Sequence, residues 1–366
     1  MTDQFDQIML SIIGFSFIFQ LFYYLYFFIR VTFHKSKAEH SNLPGVSVII
    51  AARNEAENLI KNLPSVLDQD YPDFEVIVVN DRSWDKSKDI LADFSQNHSN
   101  LKIVNNPDFG KDGFSKKLAL TLGIKAAKNE CLLFTDADCY VRSNKWIKNM
   151  SSSFSEKSII LGASPYRKRK GFLNGLIRYD TTFIAIQYMG MALARIPYMG
   201  VGRNLGYKKI VYESLSGFKS HYHIPSGDDD LLVNKGADKK NTAVVFNNDA
   251  VTLSEPKSSF KEWFDQKSRH LQTGKFYLFK HQLILFLYPL SLIIFYTSSL
   301  FYEITSSYFH IGIILVLLRI LIQIIIFIRP FKIMGCKDLI IFAPIIELIL
   351  MFIYPFIQLR TKKTAI

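Results

Sequence analysis

The chain has 366 residues, 49% of them hydrophobic, and a formal net charge of +12. That length accommodates one sizeable domain with extra segments, and a basic balance of this size points to a phosphate-rich partner or an anionic membrane surface. Three cysteines, Cys131, Cys139 and Cys336, exclude a disulfide framework and fit a reducing compartment. With no zinc-ligand spacing and no recognised nucleic-acid motif in the sequence, the membrane is the better explanation of the charge.

The first element in the chain is the apolar run 8–29, "IMLSIIGFSFIFQLFYYLYFFI". It is long enough to cross a bilayer, which takes about 20 apolar residues. Its basic residues follow it instead of preceding it, and no small-residue cleavage site appears, so it reads as a span and not as a signal peptide. The stretch 44–260 reads as a soluble domain, with 1–43 as N-terminal span and linker. Residues 261–366 read as an interfacial helix followed by apolar candidates near 283–302, 311–328 and 339–357.

Within the central domain "VSVIIAA" (46–52), "FEVIVVN" (74–80), "LKIVNN" and "CLLFT" (131–135) are strand-like. Between them lie helical stretches: "NEAENLIKNLPSVLDQ", with a bend expected at Pro64, a segment near 85–95, and "SKKLALTLGIKAAKN". Near-continuous apolar strands alternating with helices predict an α/β fold whose mainly parallel sheet is covered on both faces. Ligands of such sheets bind beyond the carboxyl ends of the strands. Arg53, Asn54 and Glu55 follow the first strand, Asp81 the second, and Asp136 and Asp138 the fourth, so all can converge on one crevice. Neither G-x-G-x-x-G after the first strand nor a P-loop is present, which argues against a dinucleotide dehydrogenase or a P-loop kinase.

Asp136 and Asp138 stand two apart, on one face if the strand continues. At a separation of about 7 Å and an effective dielectric of about 20, their repulsion is about 2 kcal/mol. A bound cation would offset it.

The stretches "VSVIIAARNEAENL", "VVNDRS", "TDADC", "SGDDDLL" and "QKSRH" occur in the order and context seen in family 2 glycosyltransferases. The chain resembles the membrane-bound members of that family, such as cellulose, chitin and hyaluronan synthases and ceramide glucosyltransferases, over roughly residues 44–280. The resemblance implies a GT-A nucleotide-sugar-binding domain flanked by N- and C-terminal transmembrane helices. It implies donor contacts from Arg53, Glu55, Asp81 and Lys116, and a divalent metal, magnesium or manganese, held by Asp136 and Asp138 against the donor diphosphate. In "SGDDDLL" it makes Asp229 the catalytic base, with Asp228 and Asp230 raising its pKa by like-charge repulsion; three adjacent aspartates leave a one-residue slip open. "QKSRH" matches a Q-x-x-R-W motif except at its end: Gln266 and Arg269 are in place and His270 replaces Trp. Arg269 retains charge-assisted contacts to phosphate, whereas stacking of a terminal sugar is poorer, which argues against processive polymerisation.

Two further segments bear on the acceptor. "RKRKGFLNGLIRYDTTFIAIQYMGMALARIP" reads as an interfacial helix whose basic residues 167–170 meet anionic headgroups or form a solvated face. "GVGRNLGYKK" (200–209) resembles a family loop near the acceptor, and His221 and His223 read as ordinary loop histidines.

The expected function is therefore transfer of a sugar from a nucleotide-sugar, a UDP-sugar in first place, to a lipid-linked or saccharide acceptor at the membrane. The alternatives are a processive polysaccharide synthase with its own translocation path, and a non-catalytic nucleotide-sugar-binding scaffold. Lys and Arg placement predicts a multi-pass cell-membrane protein with a cytoplasmic domain. Arg30, Lys35 and Lys37 follow the first span, and Lys267, Arg269, Lys275 and Lys280 precede the second. Three C-terminal spans would put the basic tail "LRTKKTAI" on the opposite side, a conflict that a re-entrant last segment removes. Arg319 and Glu347, charged residues inside apolar segments, are expected to pair.

Overall fold

The computed structural model describes residues 2–36, 43–106 and 116–363; Lys37, Ser115 and residues 364–366 lie outside them. Helix α1 (Thr2–Phe22) continues through a π-helical segment, Tyr23–Phe28, into α2 (Ile29–Phe33). The soluble part begins β1 (Val46–Ala52), α3 (Ala56–Leu67), β2 (Phe74–Asn80), α4 (Ser87–Asn97), β3 (Leu101–Asn105), α5 (Lys116–Ala126) and β4 (Cys131–Phe134). It continues with β5 (Cys139–Val141), α6 (Trp146–Ser151), β6 (Ile159–Leu161), α7 (Phe172–Leu193), β7 (Leu205–Lys208), α8 (Lys209–Ser214) and α9 (Asp230–Gly236). Then follow β8 (Thr242–Val244), β9 (Thr252–Ser254), α10 (Phe260–Thr273), α11 (Phe279–Thr305), α12 (Phe309–Ile333) and α13 (Ala343–Lys363).

The four strands expected from the apolar runs pair in parallel, β1 between β2 and β4, with β3 outside β2. The side chains of β1, β2 and β4 are buried on both faces, which is why those runs are continuous and not alternating, whereas β3, at the sheet edge, is only partly buried. The complete sheet has the order β3-β2-β1-β4-β7-β6-β8. Strand β7 runs antiparallel to both β4 and β6. In register Ala52 faces Asn80 and Ile49 faces Phe134, so the residues after β1, β2 and β4 emerge along one edge.

Among the described residues three helices are long and apolar enough to cross a membrane: Gln4–Phe33, Phe279–Thr305 and Phe309–Ile333. The fourth candidate, 339–357, falls on the described apolar segment Ala343–Gln358, and polar contacts tie this helix to the soluble domain. Just before it, Asp338 accepts from Arg178 at 2.7 and 3.0 Å and pairs with Lys168 at 2.9 Å. Near its middle the Tyr354 hydroxyl donates to Asp180 of α7, which also pairs with Lys267 of α10. The segment before α13 and the middle of α13 therefore both contact α7.

Between the spans, Arg319 Nη2 donates to Glu347 Oε2 at 2.6 Å, and Gln323, Tyr24 and Tyr296 supply further bonds to the guanidinium. Helix α7, expected at the membrane surface, is largely buried and packs on Tyr23–Phe28, α2 and α12. At this crossing a Cβ on Gly190 would stand 2.7 Å from the Phe27 carbonyl oxygen, so only glycine permits the approach. The preceding basic residues are engaged in ion pairs: Arg167 and Arg169 both reach Glu255, which Lys61 shares, and Lys168 reaches Asp338.

Candidate active site

The loops after β1 and β2 are stitched together. Asn54 N donates to Ser83 Oγ, Trp84 N to Asn54 Oδ1, Glu55 N to Ser87 Oγ and Ala56 N to Asp85 Oδ2, each at 3.0 Å. Asn54 and Arg82 both adopt φ 54°, a left-handed conformation that non-glycine residues rarely hold outside constrained sites. This frame fixes Arg53, whose guanidinium lies 5.1 Å from the Trp84 ring centroid, and Glu55, which accepts from Asn58 at 2.6 Å. Asp81 is buried and accepts from Asn106 Nδ2 at 2.6 Å and from Arg82 Nε at 3.0 Å.

The turn after β4 carries Asp136 into a small crevice together with Lys116, Gly202, Asp228 and Asp229, with Asp138 two residues on. Lys116 Nζ donates to Asp136 Oδ1 at 2.7 Å and lies 3.4 Å from Asp228 Oδ2. Removal from water in the crevice raises the Asp136 carboxyl, but Lys116 and Arg203 outweigh it and hold the group below the usual carboxylate range. Asp138 moves the other way, raised by the same loss of water and by the charge of Asp136, against the pull of Arg203. Loss of water also raises Glu55, and the charges of Asp138 and Asp136 add to the shift. Two carboxylates in mutual repulsion at a strand end are a fitting donor set for a hard dication whose remaining ligands are water and phosphate oxygens. Among the described residues no third acid or histidine completes an all-protein cage.

Asp229 caps α9. Its Oδ2 accepts from Gly202 N at 2.6 Å and its Oδ1 from Asp230 N at 2.8 Å. Enclosure in the crevice, with Asp228 and Asp230 beside it, pushes its pKa up to about 7. Asp230 is occupied elsewhere, accepting from the Thr273 hydroxyl and, at 2.7 Å, from Tyr277. Of the three adjacent aspartates, Asp229 thus lines the crevice while Asp230 ties α9 to the chain beyond α10.

Helix α10 starts with a capping box formed by Ser259 and Glu262. Gln266 Nε2 donates to the Tyr166 hydroxyl at 3.1 Å, and the Arg203 guanidinium lies 4.5 Å from the Tyr166 ring centroid. Arg203 lies in the loop 200–209 and carries no local motif that marks it as a site residue. Its charge acts on both Asp136 and Asp138, and its Nη1 is buried without a hydrogen-bond partner. His270 faces the same charges: partial enclosure and the cations Lys267, Arg203, Arg269 and Lys116 push its imidazole well below the ordinary histidine range, so it is neutral. Arg269 remains exposed at the rim. Lys117, one residue beyond Lys116, is a structural brace: buried, it donates to the carbonyls of His221, Ile224 and Ser226 at 2.5–2.7 Å.

Residues 47–213 match the model of the family described as "Glycosyl transferase family 2". Among known relatives, the poly-beta-1,6-N-acetyl-D-glucosamine synthase of Staphylococcus epidermidis is 37% identical over 120 residues, 32% of this chain and 28% of that protein. The beta-monoglucosyldiacylglycerol synthase of a Nostoc species is 30% identical over 113 residues, 30% of this chain and 24% of that protein. These alignments thus span only about a quarter of the relatives' own length. The structure of the mannosyltransferase PcManGT from Pyrobaculum calidifontis, solved in complex with GDP-Man and Mn2+, has the same fold. Its TM-score is 0.56 at 18% identity, covering 93% of this chain and 97% of that one.

Proposed function

We propose that this protein is a membrane-integrated inverting glycosyltransferase that moves a sugar from a UDP-sugar to a lipid-linked or membrane-proximal acceptor at the cytosolic face. The observation that carries the proposal is the crevice in which Asp229, with its raised pKa, stands across Lys116 and Asp228 from Asp136. A base and a diphosphate-binding end then flank one reacting carbon. Asp229 takes the proton of the acceptor hydroxyl, and the hydroxyl oxygen attacks the sugar carbon opposite the leaving diphosphate. Arg53, Glu55 and Asp81 hold the nucleoside on the stitched loops. Lys116, Arg203 and Arg269 supply cations for the diphosphate. Asp136 and Asp138 would hold magnesium or manganese, which when bound supplies Lewis-acid stabilisation to the departing diphosphate.

A processive synthase is the second reading, favoured by the kinship to a polysaccharide synthase. His270 in place of a stacking tryptophan, and three membrane helices with few surfaces left to line a polymer path, favour single additions. The test is a donor screen on the purified full-length protein, with mass analysis of lipid-extractable products. Single additions from a UDP-sugar, lost in excess EDTA, are expected. Transfer only from other donors, full activity in EDTA, or no turnover with any donor and membrane acceptor would each refute the corresponding part.

A further inference from the structure

Lys116 opens α5. Its ammonium lies between acids from two different elements, 2.7 Å from Asp136 Oδ1 at the end of β4 and 3.4 Å from Asp228 Oδ2 before α9. Asp136 belongs to the acid pair read above as the metal site, and Asp228 adjoins the base. The lysine side chain is 39% exposed and that of Asp228 12%, so the amine enters the crevice from its open side. The backbone there is not free to move with it, because Lys117 is anchored to three carbonyls of the 221–226 loop. What can move is the four-carbon stem of Lys116, with a compact, strongly hydrated head.

We propose that Lys116 is a built-in cation that holds the place of the divalent metal at Asp136 until a nucleoside diphosphate arrives, so that metal affinity depends on the diphosphate. This rests on the donor-and-metal reading above. An ammonium in contact with Asp136 repels a dication seeking the same carboxylate. Metal arriving alone must displace the amine without compensation. A diphosphate changes the balance twice: it offers the amine a charge-assisted partner, and it completes the oxygen shell of the dication. The amine swings from Asp136 to phosphate while Asp228 remains within its reach. Reciprocity follows, and metal tightens nucleotide binding by the same factor.

The experiment measures Mn2+ binding to the detergent-purified full-length protein from the free-ion electron paramagnetic resonance signal, with and without UDP. Wild type is expected to bind Mn2+ about tenfold or more tightly with UDP than without, within the usual range of coupling factors. Lys116→Gln is expected to bind Mn2+ alone about tenfold more tightly than wild type and to lose most of the UDP effect. Lys116→Met should behave as Lys116→Gln, and Lys116→Arg should keep the wild-type pattern. If wild type binds Mn2+ and UDP together but both neutral variants leave the affinity for Mn2+ alone unchanged or weaker, the placeholder role is overturned and the donor site stands. If wild type binds neither Mn2+ nor UDP, the donor-and-metal reading falls and this inference with it.

Discussion

Arg319 and Glu347 form an ion pair at 2.6 Å between α12 and α13, both buried among apolar helices. A charge there is tolerated only with a partner. Tyr288 and Gln323 also donate to Glu347, so the pair is the centre of a network joining four helices, α1 included through Gln20, whose Oε1 accepts from Arg319 at 3.3 Å. Glu347→Ala leaves a buried guanidinium without its counter-ion and is expected to cost about 3–5 kcal/mol. The double variant Arg319→Met, Glu347→Leu should recover most of that. Thermal unfolding in one detergent, for wild type, single and double variants, checks it; equal melting of wild type and Glu347→Ala would remove the pair from the stability account.

The pKa of Asp229, about 7, sets a pH dependence. A base must be ionised to accept a proton, and below its pKa the carboxyl is protonated. The turnover rate is therefore expected to rise about tenfold per pH unit on the acid side and to level off above about pH 7. Lys116 lowers this pKa, so Lys116→Gln should move the acid limb to higher pH. Asp229→Asn should abolish transfer at every pH while calorimetry finds UDP affinity within about tenfold, or 1.4 kcal/mol, of wild type. A flat profile, or a larger loss of UDP affinity with transfer retained, would assign the base to another group.

Arg203 links the two halves of the site, lying over Tyr166, which Gln266 holds, and acting electrostatically on Asp136 and Asp138. Arg203→Met removes that charge and the stacked plane together, and kcat/KM for the donor should fall about 10–100-fold, corresponding to about 1.4–2.7 kcal/mol. Arg203→Lys restores the charge without the planar fork and should recover only part. Tyr166→Phe, which keeps the ring and loses the bond to Gln266, should have the smaller effect. Unchanged steady-state constants for Arg203→Met would place the guanidinium outside the reaction.

Strands β1, β2 and β4 were legible because each is buried on both faces and reads as a nearly continuous apolar run, as in Val46–Ala52 and Phe74–Asn80. Strand β7 was not: "LGYK" is short, contains glycine and polar residues, and becomes a strand only because β4 and β6 flank it. The acids after the strands were legible because parallel sheets send their strand ends to one edge. Arg203 was not, since its proximity to Asp138 depends on a loop folding back across 65 positions of sequence, a distance that local patterning does not carry. The polar ties of the fourth apolar segment, Asp338 to Arg178 and Tyr354 to Asp180, were not legible because they are long-range and have no local signature.

Those ties lead to a prediction about topology. With α13 held against the soluble domain at Asp338 and Tyr354, the chain crosses the bilayer through Gln4–Phe33, Phe279–Thr305 and Phe309–Ile333. Three crossings place the soluble domain and the start of α13 on one side, the side that Arg30, Lys35, Lys267 and Lys275 mark as cytosolic. The conflict raised by a basic tail then disappears, because the tail stays with the domain. Asn97, exposed at the end of α4, and Ser307, exposed between α11 and α12, are on opposite sides in this arrangement. In a background without the native cysteines, all three of which are buried, Ser307→Cys should react with an impermeant maleimide in intact cells. Asn97→Cys should react only after the membrane is opened. Labelling of Asn97→Cys from outside would invert the protein, and protection of Ser307→Cys in intact cells with reaction after lysis would mean that α11 and α12 do not cross.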